Sequence, residues 1–228
     1  VGVSIPINHV KWEPCWRIIP TRYPEERILA KVADPDDVEL ISDLEQMTND
    51  RLRQERGEVA IVAPRDMISG LGSEYIMAPF TYRNPEGSRF SNGQHGVYYA
   101  ARALPTAIEE TKHHRQIFMS RTKESPIRLE MRALTADLDG DLHDIRGMQK
   151  MLPLVFSRSS YAASQSLGGR LVKESSFGIT YDSVRHKDGQ CVAVLRPPVL
   201  SHGRLERHLI FEWDGNKIRK VYELHEYF

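Results

Sequence analysis

Between Gly87 and Thr111 three kinds of chemistry-bearing side chain arrive in quick succession. Arg89 lies in a polar loop rich in Gly and Ser, Tyr98-Tyr99 in a strand-like run, and Glu109-Glu110 near the start of a helix. Helix geometry separates the two acids. Ala107, Glu110, Thr111, His114, Ile117 and Phe118 fall on one face at spacings of three and four. Glu109 groups instead with Lys112, His113 and Gln116, a wholly polar set that points to water. An inward carboxylate at Glu110 needs either a structural partner such as an arginine or a chemical task. The residues alone leave both readings open.

Other motifs have plainer readings. Gly70-Leu-Gly72 lacks the third glycine and the strand-to-helix setting of a dinucleotide fingerprint, so it reads as a turn. His113-His114 has no HExxH or HxxxH spacing, and adjacent helical positions project differently; His113 reads as a solvated surface residue. Ser183 and His186 are conceivable as a nucleophile and base, but no G-x-S-x-G elbow surrounds Ser183. Arg51, Arg53 and Arg56 are interleaved with acids, as on a solvated helix face. Cys15 and Cys191 form no CxxC and read as two reduced thiols. No metal is expected.

The elements that carry these residues mix helix and strand. Asp34-Pro-Asp-Asp37 offers N-cap chemistry, and Val38, Ile41, Leu44, Met47 and Leu52 recur at near-helical spacing, which predicts a helix over about 36–56. Val59–Ala63 reads as a short strand, and Gly70 to Gly96 as long loops with brief extended pieces. Val97–Ala101 reads as a buried strand, and Pro105 opens a helix to about Met119. Ile127, Leu129, Met131 and Ala133 alternate as in a half-buried strand. Residues 158–174 predict a helix with Tyr161, Gln165, Leu167, Leu171 and Val172 inside. Strands follow at Gly178–Tyr181 and Cys191–Leu195, and Asp214-Gly-Asn216 turns a C-terminal hairpin of 208–213 and 217–224. Without βαβ regularity the pattern favours an α+β fold.

The chain has 228 residues, enough for one large domain, and a chain of that length buries about 70% or more of its unfolded surface. Its 31 Lys plus Arg balance 31 Asp plus Glu, which argues against direct nucleic-acid binding. No apolar stretch is long enough to span a membrane. The start, Val1-Gly-Val-Ser-Ile-Pro6, lacks the regions of a signal peptide, so the expected compartment is the cytoplasm.

Taken together, Arg89-Phe90, Tyr99-Ala-Ala101 and Thr106-Ala-Ile-Glu-Glu110 resemble the core signature of the RES-domain family, the toxins of bacterial toxin–antitoxin modules. A second block, Tyr161-Ala-Ala-Ser-Gln165 followed by Gly178-Ile-Thr-Tyr-Asp-Ser-Val-Arg185, places the family serine at Ser183. Arg17-Ile-Ile-Pro20, Thr48-Asn-Asp-Arg51 and Asn84–Phe90 resemble the ParT-like subgroup. Ser91 stands where the family usually has Asn, and spacing alone chooses Tyr99 over Tyr98 as the family tyrosine.

The resemblance implies an ADP-ribosyltransferase-like core of mixed, largely antiparallel strands flanked by helices over 81–228, with a helical N-terminal extension over 1–80. It implies NAD+ as co-substrate, with cleavage of the nicotinamide–ribose bond and transfer of ADP-ribose to a protein. Water or inorganic phosphate are alternative acceptors, and a non-catalytic binding module is a rival reading. Glu110 would hold the ribose 2′-hydroxyl, Arg89 the pyrophosphate or ribose, and Tyr99 the nicotinamide ring. Ser183 would bond the co-substrate or orient Glu110, and Arg185 would contact phosphate. The loops between Gly70 and Gly96 are the expected wall of the acceptor site. The implied partner is a cognate antitoxin with a helix-turn-helix region, inserting a segment into the NAD+ site.

Overall fold

The computed structural model describes residues 3–21, 62–81, 84 and 86–225. The strands are β1 (Ile7–Pro20), β2 (Tyr98–Ala101), β3 (Ile127–Asp144), β4 (Gly178–Asp182), β5 (Gln190–Val194), β6 (Leu200–Trp213) and β7 (Ile218–Leu224). The helices are α1 (Ser73–Thr81), α2 (Leu104–Thr122) and α3 (Ala162–Lys173). Strand order is β1-β2-β5-β4-β3-β6-β7, and β1 pairs with β3 as well. Only β3–β4 is parallel.

Pairing lengths divide the strands into two layers. β3 runs beside β1 from Ile7↔His143 to Pro20↔Met131, and beside β6 from Ile127↔Trp213 to Leu138↔Leu200. By contrast, β1 meets β2 only at Trp16↔Ala101, and β3 meets β4 only at His143↔Ile179 and Asp144↔Thr180. A long layer β1-β3-β6-β7 is thus joined at its corners to a short layer β2-β5-β4. One apolar cluster unites both layers: Val10, Trp12 and Cys15 of β1 and Ala136, Leu138 and Leu142 of β3 meet Tyr98, Ala100, Val192 and Val194. The other face of the short layer presents Ala101, Ile179, Tyr181, Cys191 and Ala193 to Phe90, Ala107 of α2, and Leu167 and Leu171 of α3. The expectation of a mixed, largely antiparallel sheet flanked by helices matches this architecture.

Several local expectations are corrected. Residues 7–20, read from the sequence as part of an extension, form β1 inside the sheet, with Cys15 fully buried. Gly70–Gly96 is not all loop: α1 forms within it because Ile76 and Phe80, four apart, both enter the cluster between the layers. The helix predicted from residue 158 starts at Ala162, because Ser157 Oγ accepts from the backbone N–H of Ser159 and Ser160 in a local turn. Its inner positions are Ser164, Leu167, Gly168 and Leu171, whereas Val172 is exposed. On α2, Ile117 and Phe118 face outward, while Met119, Leu104 and Ile108 pack against the long layer. The helix expected at 36–56, the cluster Arg51, Arg53 and Arg56, and residues 59–61 of the expected strand lie outside the described residues; Val62 and Ala63 are not strand.

Candidate active site

Glu110 sits in the second turn of α2, on the side of the helix that faces the short layer. Ser183, just after β4, donates its hydroxyl to Glu110 Oε1 at 2.5 Å. The direction follows from saturation. Ser183 Oγ already accepts from the backbone N–H of Arg185 at 3.1 Å and of His186 at 2.9 Å, so its proton is left for the carboxylate. Cys191 of β5 adds a long S–H contact to the same oxygen at 3.9 Å. Burial first, and then the Glu110 charge, push the Cys191 thiol far up, so it stays a neutral donor. No cation pairs with Glu110 among the described residues, which answers the choice that the sequence left open: its inward turn is not explained by a salt bridge.

Arg89 is the complementary case. It is 7% exposed, yet no carboxylate pairs with it among the described residues. Nη1 donates to the carbonyls of Val155 and Ser157, both at 3.1 Å, and the guanidinium lies over the Tyr161 ring at 4.8 Å. These contacts fix the plane of the fork without neutralising its charge. Both charges reach the same neighbours: Glu110 raises, and Arg89 lowers, the proton affinity of Tyr181 and Cys191.

The Arg89 turn is clamped from two sides. Tyr99 Oη accepts from the Phe90 N–H at 2.8 Å and bonds Ser88 Oγ at 2.8 Å; burial pushes its pKa up to about 12. From α3, Gln165 Nε2 donates to the carbonyls of Ser88 and Ser91 at 3.1 and 3.2 Å. Gly168 lets the helix close in, for a Cβ there would stand 2.0 Å from the Phe90 carbonyl oxygen. Strand alternation sorts the tyrosine pair: Tyr98, 1% exposed, points into the cluster between the layers, and Tyr99 to the face of Phe90 and Tyr181.

Arg185 Nη2 donates to the Arg158 carbonyl at 2.9 Å, and its Nε is buried with no partner. His113, read from the sequence as solvated, is half-buried, and burial and then the charges of Arg185 and Arg89 depress its pKa. His186 Nδ1 is 2.9 Å from Thr106 Oγ1. An open hollow of about 410 Å³ lies between the first turns of α2 and the β4–β5 loop, lined by Leu104, Pro105, Ile108, Glu109, Arg185 and His186. Glu109 itself pairs with Lys112 at 2.8 Å. Of the described residues of the Gly70–Gly96 stretch, the Arg89 turn meets this region, whereas Ile76 and Phe80 of α1 pack into the opposite cluster.

Sequence reading thus named Arg89, Tyr99, Glu110, Ser183 and Arg185, which the fold gathers around the outer face of the short layer. It missed the carbonyls of Val155, Ser157 and Arg158, which anchor both arginines; backbone acceptors carry no side-chain signature. It also missed Thr106 as the partner of His186. Among the described residues no helix is long and apolar enough to cross a membrane.

The uncharacterized protein y4oC of Sinorhizobium fredii (strain NBRC 101917 / NGR234) is 33% identical over 207 residues, covering 91% of this chain and 86% of that protein. In the crystal structure of the M.tuberculosis MbcT-MbcA toxin-antitoxin complex, one chain matches with a TM-score of 0.47 at 12% identity, over 91% of this chain and 87% of that one. The RES domain family matches residues 67–214, well over half of the chain and the whole span from the Arg89 turn to Ser183. On that match this chain belongs to the RES domain family.

Proposed function

We propose that the protein is the toxin of a bacterial toxin–antitoxin module. In this reading it cleaves the nicotinamide–ribose bond of NAD+ and transfers ADP-ribose to a protein. The observation that carries the reading is a pair of uncompensated charges: Glu110 turned inward on a hydroxyl donor with no cation, and Arg89 buried with no carboxylate. A buried cation without a counter-ion is costly unless a ligand supplies the negative charge. A dinucleotide pyrophosphate would do so at Arg89, whose Nε and Nη2 take no acceptor among the described residues.

Glycosidic cleavage through an oxocarbenium-like state needs no nucleophilic side chain. It benefits from a carboxylate that holds the 2′-hydroxyl as positive charge develops. Ser183 holds Oε1 of Glu110, so Oε2 is the oxygen offered to the ribose. Tyr99, tied by its hydroxyl to the Arg89 turn, presents a ring against nicotinamide, and Arg185 adds a phosphate contact. The family resemblance supports an ADP-ribosyltransferase-like core and a cognate antitoxin with a helix-turn-helix region. Exposed Met151 and Leu154 just precede the segment that anchors Arg89 and would give such a partner an apolar hold.

Nicotinamide release from NAD+ tests the reading. Wild type is expected to turn over, and Glu110→Gln to lose about 10²-fold or more, the scale of one transition-state contact. No release from folded wild type, with phosphate and candidate proteins present, overturns it.

A further inference from the structure

An arginine side chain has several rotatable bonds, so its fork meets a phosphate in one attitude only where both its root and its tip are fixed. We propose that one face of α3 does this for Arg89. Gln165 fixes the root, and Tyr161 is the positioning residue that sets the guanidinium for a phosphate group of the co-substrate. The inference rests on the NAD+ reading and adds α3 to it.

The root is held through the backbone. Gln165 Nε2 donates to the carbonyls of Ser88 and Ser91, at 3.1 and 3.2 Å, on either side of Arg89-Phe90. Carbonyls only accept, so the amide nitrogen must be the atom that faces the turn. Tyr161 caps α3 one turn before Gln165, and the two side chains leave the same face. The place of Tyr161 is itself fixed, since its carbonyl accepts from the Gln165 N–H at 2.8 Å and from the Ser164 hydroxyl at 3.0 Å.

At the tip, the Arg89 guanidinium lies over the Tyr161 ring at 4.8 Å, and Nη1 is occupied by the Val155 and Ser157 carbonyls. Ring and carbonyls together fix the plane of the fork and its rotation within that plane. The edge that remains is Nε with Nη2, a pair that grips an oxyanion through two parallel bonds. The Tyr161 hydroxyl bonds no described residue, so the ring contributes its face. A ring holds the cation without neutralising it, whereas a carboxylate there would compete with the phosphate.

The same fold contains the completed arrangement. Arg196 lies over the Phe177 ring at 4.6 Å and donates from Nη1 to the Ser175 carbonyl at 2.9 Å. Its Nε and Nη2 grip Asp66, at 3.0 Å to Oδ2 and 2.6 Å to Oδ1. Arg89 repeats the ring and the Nη1 carbonyls with no carboxylate among the described residues. Its matching edge therefore suits an oxyanion from outside the chain.

The test uses the full chain and two readouts. One is calorimetric binding of ADP-ribose, which carries the diphosphate without the bond to nicotinamide; the other is kcat and KM for nicotinamide release from NAD+. Tyr161→Leu is expected to weaken ADP-ribose binding and raise KM by about 10-fold, with kcat held within about twofold. Tyr161→Phe, which keeps the ring face, should restore both. In an Arg89→Gln background, Tyr161→Leu should lower kcat/KM no further, because it acts through the guanidinium. Gln165→Met, which frees the root, should raise KM in the same way and serves if urea unfolding shows Tyr161→Leu to be misfolded. A loss confined to kcat, failure of Tyr161→Phe to restore, an unchanged KM in the folded variants, or a full additional loss in the Arg89→Gln background overturns the inference. Absence of both ADP-ribose binding and nicotinamide release in wild type is a different failure, that of the NAD+ reading itself.

Discussion

At the scale of single residues, the proposed function has Ser183 act through Glu110, to which it donates its hydroxyl. Its proton has one available destination, so its removal lets the carboxylate swing and leaves two backbone N–H groups unpaired. Ser183→Ala is expected to lower kcat for nicotinamide release by about 10-fold or more with KM nearly unchanged, and Ser183→Thr to restore most of it. A KM rise with kcat intact would assign Ser183 to substrate binding instead. Tyr99→Phe removes the acceptor of the Phe90 N–H and should cost about 1–3 kcal/mol in urea unfolding, the penalty of an orphaned buried donor. Asp144 gives a pH prediction. Burial raises its pKa, but bonds from Arg146 at 2.6 and 2.8 Å and from Asn8 at 3.0 Å hold the carboxyl well below its usual range. A depressed folded pKa stabilises the protein above the unfolded value of about 3.9, and that contribution is lost as pH falls below it. The stability gap between wild type and Asp144→Asn should thus be widest near neutrality and narrow below about pH 4; a gap that persists in acid would contradict it. At this scale Glu110 was legible in part: Ala107, three residues before it, is buried, but Ile117 and Phe118, which the same spacing puts on its face, are exposed. The anchoring of Arg89 was not, because its partners are carbonyls some 66 and 68 residues away.

At the scale of elements, α3 carries a paired control in its sequence. Gly168 meets the Phe90 carbonyl, whereas a methyl group on its neighbour Gly169 would find nothing within 4 Å, and the backbone there has no unusual angle. Gly169→Ala should therefore stabilise by up to about 1 kcal/mol, the helix-propensity difference. Gly168→Ala should destabilise by about 1–3 kcal/mol, because α3 must retreat from the Arg89 turn. Weaker NAD+ binding should accompany the second change alone, measured by calorimetry; equal effects at both positions would show that the clamp is not tight. The same contrast explains what the elements revealed in advance. α2 and the β6–β7 hairpin were readable from Pro105 and from Asp214-Gly-Asn216, local signals that agree with the tertiary structure. α1 was not, since Pro79 sits inside it and its stability comes from burying Ile76 and Phe80. β1 hid its alternation behind a register shift between Trp12 and Cys15, which puts its buried residues out of phase.

At the scale of the whole molecule, zero net charge supplies no net attraction for an anionic dinucleotide, so under the proposed function its capture would fall to the arginines gathered near the Arg89 turn. Those arginines are only as well placed as the sheet beneath them, and the sheet depends on β1. This strand is the link that pairs with both β2 and β3, and it contributes Val10, Trp12 and Cys15 to the cluster uniting the two layers. A chain beginning at residue 81 would keep every residue of the candidate site yet lose one whole side of β3 and a wall of that cluster. It is expected to show no cooperative unfolding transition in urea, in contrast to the full chain. The single change Trp12→Ala should already cost about 3–5 kcal/mol, the range for removing a large buried aromatic. A cooperative, NAD+-binding fragment from residue 81 onward would instead mean that the layers close without β1. In that case residues 1–80 would be free to serve target choice rather than the fold.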